Sequence, residues 1–440
     1  MGAPARIGLR VLSNPMWRGG INYVVNWARA AASMPDGERP DIYLLPYDGP
    51  GEAIAEELRP VVKAIHPFAD AKSLELDLVY PVTQVFEAPS GAPWAGWIPD
   101  WQCKHMPEMF DELERARRDL HFGLLATEAP YVVLSSQMAL EDTERLHPKS
   151  VGHSKLTFPA MMSEAEIQAA AGTIAAVRRA YDLPPRFALV CNQWWKHKNH
   201  SVVLRALAAL KSLDITVVFT GETHDPRWPG YFDELKAFIA QSGVEPKVRI
   251  LGAIGRQEQL ALMTEAVFII QPSRFEGWST IVEEARALGK RLLLSDFPVH
   301  REQCPPGSRF FPPDDAHKLA ASMWEMWTEP TQDHRDDARQ LAYVRDCVRQ
   351  LVAVARATRT AYDPAVNDPS VLVPKLIARL ERESRGDPIK QTLLAKATSA
   401  GRAMAAAGSD RRATAAKPGP KPPRQGFLRS LKNTVLGRRA

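Results

Sequence analysis

Short apolar runs rich in β-formers alternate with stretches of helical periodicity along this chain, and the alternation begins twice. In the second half, Phe187-Ala-Leu-Val190 precedes a helix carrying Val202, Leu204, Leu207 and Leu210, and Ile215 to Thr220 precedes a helix from Tyr231 to Ser242. Val248 to Leu251, Ala266 to Ile270 and Arg291 to Leu294 continue the series, the last leading to a helical region from His317 to about Thr360 that should pack back toward the first half. Apolar runs without a polar face suit strands buried on both sides, and strands separated by helices must lie parallel. In the first half, Arg6 to Leu12 leads to a helix with Ile21, Val24, Val25 and Ala28; strands are expected at Ile42–Leu45, Thr83–Glu87 and Tyr131–Ser136, with a helix at Gln137–Leu146. A polar, Ala-rich helix from Ser163 to Tyr181 stands between the halves and must end before Pro184 and Pro185, which cannot continue it. The expected class is α/β, with two doubly wound, Rossmann-like parallel-sheet domains.

With 440 residues, 45% of them hydrophobic and 24% charged, the chain has material for two cores. We expect an N-terminal domain over 1–165, a second over 166–365, a helical extension over 366–395 and a tail over 396–440. Within the extension, Leu372, Leu376 and Leu380 mark a helix from Val371 to Glu383, with Pro374 in its first turn. The net charge of +5 is uneven: residues 401–440 hold ten Lys or Arg against one Asp, so the remainder is near −4. That body offers no basic surface for nucleic acid. The tail is rich in Ala, Pro and Gly, a composition that does not bury a core and reads as mostly disordered. At its end Phe427, Leu428, Leu431 and Val435 form an apolar stripe beside Arg429, Lys432, Arg438 and Arg439, which suits an anionic membrane surface or is a solvated basic end. Four cysteines without metal-ligand spacing, no signal-like N-terminus and no apolar run of about 18 residues give a cytoplasmic protein, or one peripheral at the inner face of the membrane.

Chemistry concentrates in Gln271-Pro-Ser-Arg-Phe-Glu-Gly-Trp-Ser-Thr-Ile-Val-Glu-Glu-Ala-Arg-Ala-Leu-Gly289, a strand end, a loop and a helix from about Thr280. Gly277 and Ser279 stand where backbone comes close to a ligand, and the helix start offers N–H groups to a phosphate or a sugar hydroxyl. Glu276 and Glu284, eight residues apart, are candidate acceptors for the paired hydroxyls of a ribose or hexose. Glu283 and Glu284 also read as a solvated pair supporting a helix N-terminus.

Phe275-Glu-Gly-Trp278, Glu284-Ala285 and Gly289 together resemble the donor-site signature of the retaining GT-B glycosyltransferases, the group 1 or GT4-like family. Ser295-Asp-Phe-Pro-Val-His-Arg-Glu302 resembles that family's segment after the next strand. The resemblance implies two domains facing across a cleft, with Glu284 on the nucleotide's ribose, Glu276 on the donor sugar, and the amides of Gly277, Trp278, Ser279 and Thr280 toward sugar or phosphate. Gly252-Ala-Ile-Gly255 lies where relatives hold the base against backbone. Trp194-Trp-Lys-His-Lys-Asn199 resembles the family's phosphate-binding turn, with Lys198 at the diphosphate lysine and Lys196 as its helper. Many relatives carry Arg where this chain has Asn192. Gly19-Gly20 resembles the glycine-rich first loop. Trp97-Ile-Pro-Asp-Trp-Gln-Cys-Lys-His105 resembles the motif that supplies catalytic contacts from the first domain, here Asp100 and His105, with Cys103 where relatives have His.

The implied activity is transfer of a sugar from a nucleotide-sugar donor to a glycan, lipid-linked or other acceptor, with retention of configuration. No Asp-x-Asp motif occurs, so no metal is expected and Lys198 with helix-end amides should stabilise the departing nucleotide. Cys103 and Asn192 favour the alternative, a catalytically silent nucleotide-sugar or glycan-binding protein of the same fold.

Overall fold

The computed structural model describes residues 3–12, 18–330 and 334–399. The apolar stripe and basic end at 427–439 lie outside the described residues, as does the segment 13–17 before the glycine pair. Seven parallel strands form a first sheet: β1 Arg6–Arg10, β2 Asp41–Leu45, β3 Ala64–Ile65, β4 Leu78–Val82, β5 Trp94–Ile98, β6 Tyr131–Leu134 and β7 His153–Lys155, in the order β3-β2-β1-β4-β5-β6-β7. Six form a second: β8 Ala188–Cys191, β9 Val217–Thr220, β10 Val248–Ile250, β11 Ile269–Gln271, β12 Leu292–Ser295 and β13 Arg309–Phe311, in the order β10-β9-β8-β11-β12-β13. Each sheet winds outward both ways from a central pair, β1/β4 and β8/β11, so crevices open at the carboxyl ends of those strands. This is the doubly wound architecture the alternation demands, built twice.

Local chemistry sets the joints. The helix Glu164–Tyr181 begins at a capping box in which Ser163 and Glu166 satisfy each other's backbone amides. It ends at Asp182 in a left-handed conformation, two residues before the first proline. The helix Asp337–Ala361 does cross back to the first sheet. Its stripe of Val344, Cys347, Val348, Leu351, Val354 and Ala355 shares a core with Ile7, Leu9, Trp27 and Tyr80. The next helix, Pro369–Glu383, sets Leu372 and Leu376 against Trp94, Trp101 and Leu125. By packing, both helices therefore side with the first sheet although they follow the second in the chain. Each large apolar side chain so buried contributes roughly 1.5–3 kcal/mol.

Three local expectations are corrected. The strand expected at Thr83–Glu87 is β4, Leu78–Val82, and Val85–Glu87 is a single 3₁₀ turn. All five residues of β4 are buried, Pro81 among them, although proline in a strand is ordinarily found at an edge. The motif from Trp97 to His105, with Gly96 before it, reads from sequence as an active-site loop, but Gly96-Trp-Ile98 belong to β5, every residue of which is buried, so the loop begins at Pro99. The extension's helix starts two residues earlier than expected, at Pro369, which puts Pro374 beyond the first turn, where it withholds one backbone N–H from the ladder. Among the described residues no helix is long and apolar enough to cross a membrane.

Candidate functional site

The two central strands of the second sheet deliver the core of the site. After β8 the chain makes a 3₁₀ turn at Lys196–Lys198, and Asn199, at φ 59°, redirects it into the helix His200–Ala209. The Asn199 amide pins the turn by donating to the carbonyls of Pro272 (3.2 Å) and Pro313 (2.7 Å). After β11 the loop carries Glu276 back over the same strand ends. Lys198 Nζ consequently lies 2.8 Å from both carboxylate oxygens of Glu276, although 78 residues separate them. Glu276 is 8% exposed. Burial pushes its carboxyl up, but Lys198, His300 and hydrogen bonds outweigh that and hold it below the usual carboxylate range.

Gln271, at the end of β11, organises this pair. Its Nε2 donates to Glu276 Oε1 (2.8 Å) and Ser279 Oγ (3.0 Å), while its Oε1 accepts from Asn192 Nδ2 (2.7 Å). Asn192 is thus a strut for the strand-end amide and adds no charge. Ser279 is 2% exposed and its N–H is taken by Gln303 Oε1 (3.2 Å), whose own amide donates to Ser279 O and Glu283 Oε1. The Ser279 amide, expected to face sugar or phosphate, is therefore occupied within the protein. Thr280 is half-buried as the first residue of the helix Thr280–Ala287.

Neither of the adjacent glutamates is solvated. Glu283 is wholly buried and pairs with Arg286 (3.2 Å) and Gln303; burial pushes its carboxyl up. Glu284 is 1% exposed, meets Arg256 NH1 at 2.7 Å and accepts from Gln259 Nε2 at 3.1 Å; burial again pushes the carboxyl up, with Arg256 opposing. Arg256 opens the helix Arg256–Glu265, directly after the Gly252–Gly255 turn. That turn and Glu284 thereby border one another.

The first sheet closes over this surface. A Cβ placed on Gly277 would lie 2.7 Å from the Pro99 carbonyl oxygen and 3.1 Å from Asp100 Oδ2, so glycine is required for the loops to meet. Asp100 itself accepts from Gln102 N–H at 2.9 Å. Glu302 ties the seam elsewhere, accepting from Gln137 N–H (2.8 Å) and Lys155 Nζ (2.7 Å).

Several expected site residues point otherwise. Trp278 donates its indole N–H to Phe158 O (3.2 Å) and packs on the first core, making it part of the seam. His105 Nε2 lies 2.5 Å from Asp142 Oδ2 within the first domain, while its ring rests 5.5 Å from that of Phe275. Cys103 packs with Met109 and Phe110, and burial pushes its thiol up to about 11, so it does not stand in for an imidazole. The Lys196 ammonium sits 3.5 Å over the Trp228 ring, drawn there by the ring's negative face and apart from Lys198. Gly19 and Gly20 are the second and third residues of the helix Arg18–Ala32 and do not form a loop. The second cation beside the Lys198 turn is Arg227, whose NH2 lies 3.2 Å from His197 Nδ1. Its guanidinium stands 5.6 Å from the Phe110 ring of the first domain.

Residues 177–345 match the family described as glycosyl transferases group 1. Over that stretch the chain is similar to the group 1 glycosyltransferases. A curated relative, N-acetylgalactosamine-N,N'-diacetylbacillosaminyl-diphospho-undecaprenol 4-alpha-N-acetylgalactosaminyltransferase of Campylobacter jejuni, is 29% identical over 175 residues, 40% of this chain and 43% of the relative. The match thus spans less than half of that protein. Anabaena Alr3699/HepE in complex with UDP superposes at a TM-score of 0.51 with 16% identity, over 85% of this chain and all of the other. Sucrose-phosphate synthase of Thermosynechococcus elongatus does so at 0.51 with 14% identity, over 87% and 99%. Identities this low speak for the fold alone, and with the two sheets described above they show a GT-B fold.

Gln271, Gln303, Arg256, Gln259 and Arg227 went unassigned by sequence reasoning. Gln271 opens the motif and carries a visible signal, a polar residue ending an apolar strand. Gln303, Arg227 and the Arg256/Gln259 pair reach the site from three other elements, and no motif in the sequence marks them.

Proposed function

We propose that the chain is a glycosyltransferase that moves a sugar from a nucleotide-sugar donor, held mainly by the second domain (166–365), to a glycan or lipid-linked acceptor on the first (1–165). The observation that carries this reading is the Lys198–Glu276 pair at the carboxyl ends of β8 and β11. In a nucleotide sugar the diphosphate adjoins the sugar, so a lysine and a hydroxyl-accepting carboxylate in contact suit the two sides of the bond to be broken. Lys198 would balance charge on the departing diphosphate without a metal, Glu276 would orient the sugar, and Glu284 would accept from the ribose. Asp100, whose carboxylate lies against Gly277, would border the transferred sugar. Retention of configuration is part of the proposal and follows the family resemblance. Support for a UDP-type donor comes from the Anabaena structure's bound nucleotide, and for a lipid-linked acceptor from the Campylobacter relative's name.

The test is cleavage of UDP-, GDP-, ADP- and TDP-sugars by the intact protein with EDTA present. We expect one donor to be hydrolysed or transferred, with activity lost in Glu276→Ala and Glu284→Ala. Binding of a nucleotide sugar without turnover would favour the silent binding protein, for which the buried, apolar setting of Cys103 speaks.

The basic end of the chain is proposed to hold the enzyme near a lipid-linked acceptor, each basic residue contributing about 1 kcal/mol at an anionic surface. Flotation with phosphatidylserine-containing liposomes should retain the full chain and lose a variant lacking 413–440. Equal flotation of both would dismiss the tether.

A further inference from the structure

Glu284 is a carboxylate taken almost wholly out of water, and what keeps it company is specific. Arg256 and Gln259 lie three residues apart on the first turn of one helix, a spacing that presents both to the same side. Arg256 NH1 meets Oε1 at 2.7 Å and Gln259 Nε2 meets Oε2 at 3.1 Å, one partner on each oxygen. A carboxylate offers about four acceptor positions, so each oxygen keeps one for another donor. Two free positions on adjacent oxygens match the two hydroxyls of a vicinal diol. Arg256 itself is anchored at only one end of its reach, with its side chain 38% exposed at the rim.

We propose that Arg256 is a positioning residue of the donor site, which with Gln259 clamps Glu284 so that its two remaining acceptor positions take the 2′,3′-diol of a ribonucleoside diphosphate. This rests on the donor-site reading above and adds to it a ribose requirement that works through Arg256. Arg256 does not touch the reacting bond. It holds the acceptor that recognises the nucleotide's sugar. The other groups around Glu284 supply no competing cation from what they contact: Cys191 comes from the end of β8, and Glu283 on the same helix is turned to Arg286 and Gln303. Without the guanidinium, burial would drive Glu284 toward its neutral form, which has a proton in place of one acceptor position.

The experiment is calorimetric titration of the full chain, as wild type, Arg256→Met and Arg256→Lys, with UDP, GDP and ADP and their 2′-deoxy forms. The ribonucleotide that binds wild type should bind Arg256→Met about tenfold or more weakly, the loss of one charge-assisted hydrogen bond. Arg256→Lys should recover most of that. The 2′-deoxy form, already weaker on wild type, should lose little further in Arg256→Met, because the two changes remove one shared interaction. As pH is lowered, affinity should begin to fall at a higher pH in Arg256→Met than in wild type, because Arg256 opposes the upward push of burial on the Glu284 carboxyl. Equal losses for the ribo and deoxy forms, or unchanged affinity in Arg256→Met, would overturn the positioning role while leaving the donor site standing. Failure of all three ribonucleotides to bind wild type would overturn the donor-site reading and this inference with it.

Discussion

Lys198→Met should abolish donor binding and cost the second domain about 3–5 kcal/mol, the usual penalty for stripping a buried charge of its partner. Glu276 is 8% exposed and would retain only neutral donors such as the Gln271 amide. The Lys198 side chain is itself 16% exposed, which places the loss toward the lower end of that range. For a domain of some 200 residues, 3 kcal/mol corresponds to roughly 6–12 °C in melting temperature. The double variant Lys198→Met/Glu276→Gln removes both charges, and most of the lost stability should return, because the cost lies in the orphaned carboxylate. Nucleotide-sugar cleavage should stay absent in both. Calorimetric melts paired with the cleavage assay check this. A single variant that melts like wild type would mean the pair is not held as closely as its 2.8 Å contacts state.

Acid should unfold the second domain first. His197, His200 and His300 in that domain, and His121 in the first, are at most 5% exposed. Burial pushes each imidazole down from its ordinary 6.5, His121 to about 4 and His200 to about 3, with nearby Lys198 and Arg227 adding to the effect at His197. A depressed folded-state value means that the unfolded chain takes up the proton first. The associated stability is complete above pH 6.5 and drains away as pH falls toward the folded values, by about 1.4 kcal/mol per pH unit for each histidine. By pH 5 that is roughly 2 kcal/mol for His200, and His197 and His300 add losses of the same sign. Glu276, held below its ordinary 4.5, adds a loss only at pH values under that. Glu283 and Glu284, pushed up by burial, act with the opposite sign, since their protonation favours the fold as pH drops. Scanning calorimetry from pH 7.5 to pH 5 should show a second-domain transition falling steeply below pH 6.5. A flat profile over that range would contradict neutral, buried imidazoles.

The two predictions draw on different layers of information. Glu276 and Glu284 were legible together as candidates because a strand, a loop and a helix start follow one another in one contiguous motif, and Lys198 because it stands in a separate basic turn before another helix. The fold was legible for a related reason: apolar runs and helical periodicity report which residues are buried, and parallel strands with intervening helices leave few ways to be wound. Bounds were less legible than elements: the strand expected at Thr83–Glu87 lies at Leu78–Val82, because local patterning fixes the presence of a strand better than its ends.

Direction is what the linear chain withholds. Lys196 and Lys198 are two residues apart in one basic turn, yet one ammonium rests on Trp228 and the other on Glu276. Trp278 sits in the middle of the motif and turns to Phe158 across the seam. His105 belongs to the first-domain motif and turns to Asp142. In each case the partner lies on another element, brought near by strand order and by the meeting of Gly277 with Pro99, and not by sequence spacing. The sequence by itself determined two doubly wound sheets and the residue types gathered at the carboxyl ends of β8 and β11, because burial periodicity and loop chemistry are local properties. Which carboxylate meets which cation, and which side chains seal the seam instead of facing the crevice, was decided only by tertiary structure, because buried charges and amides must find partners in three dimensions.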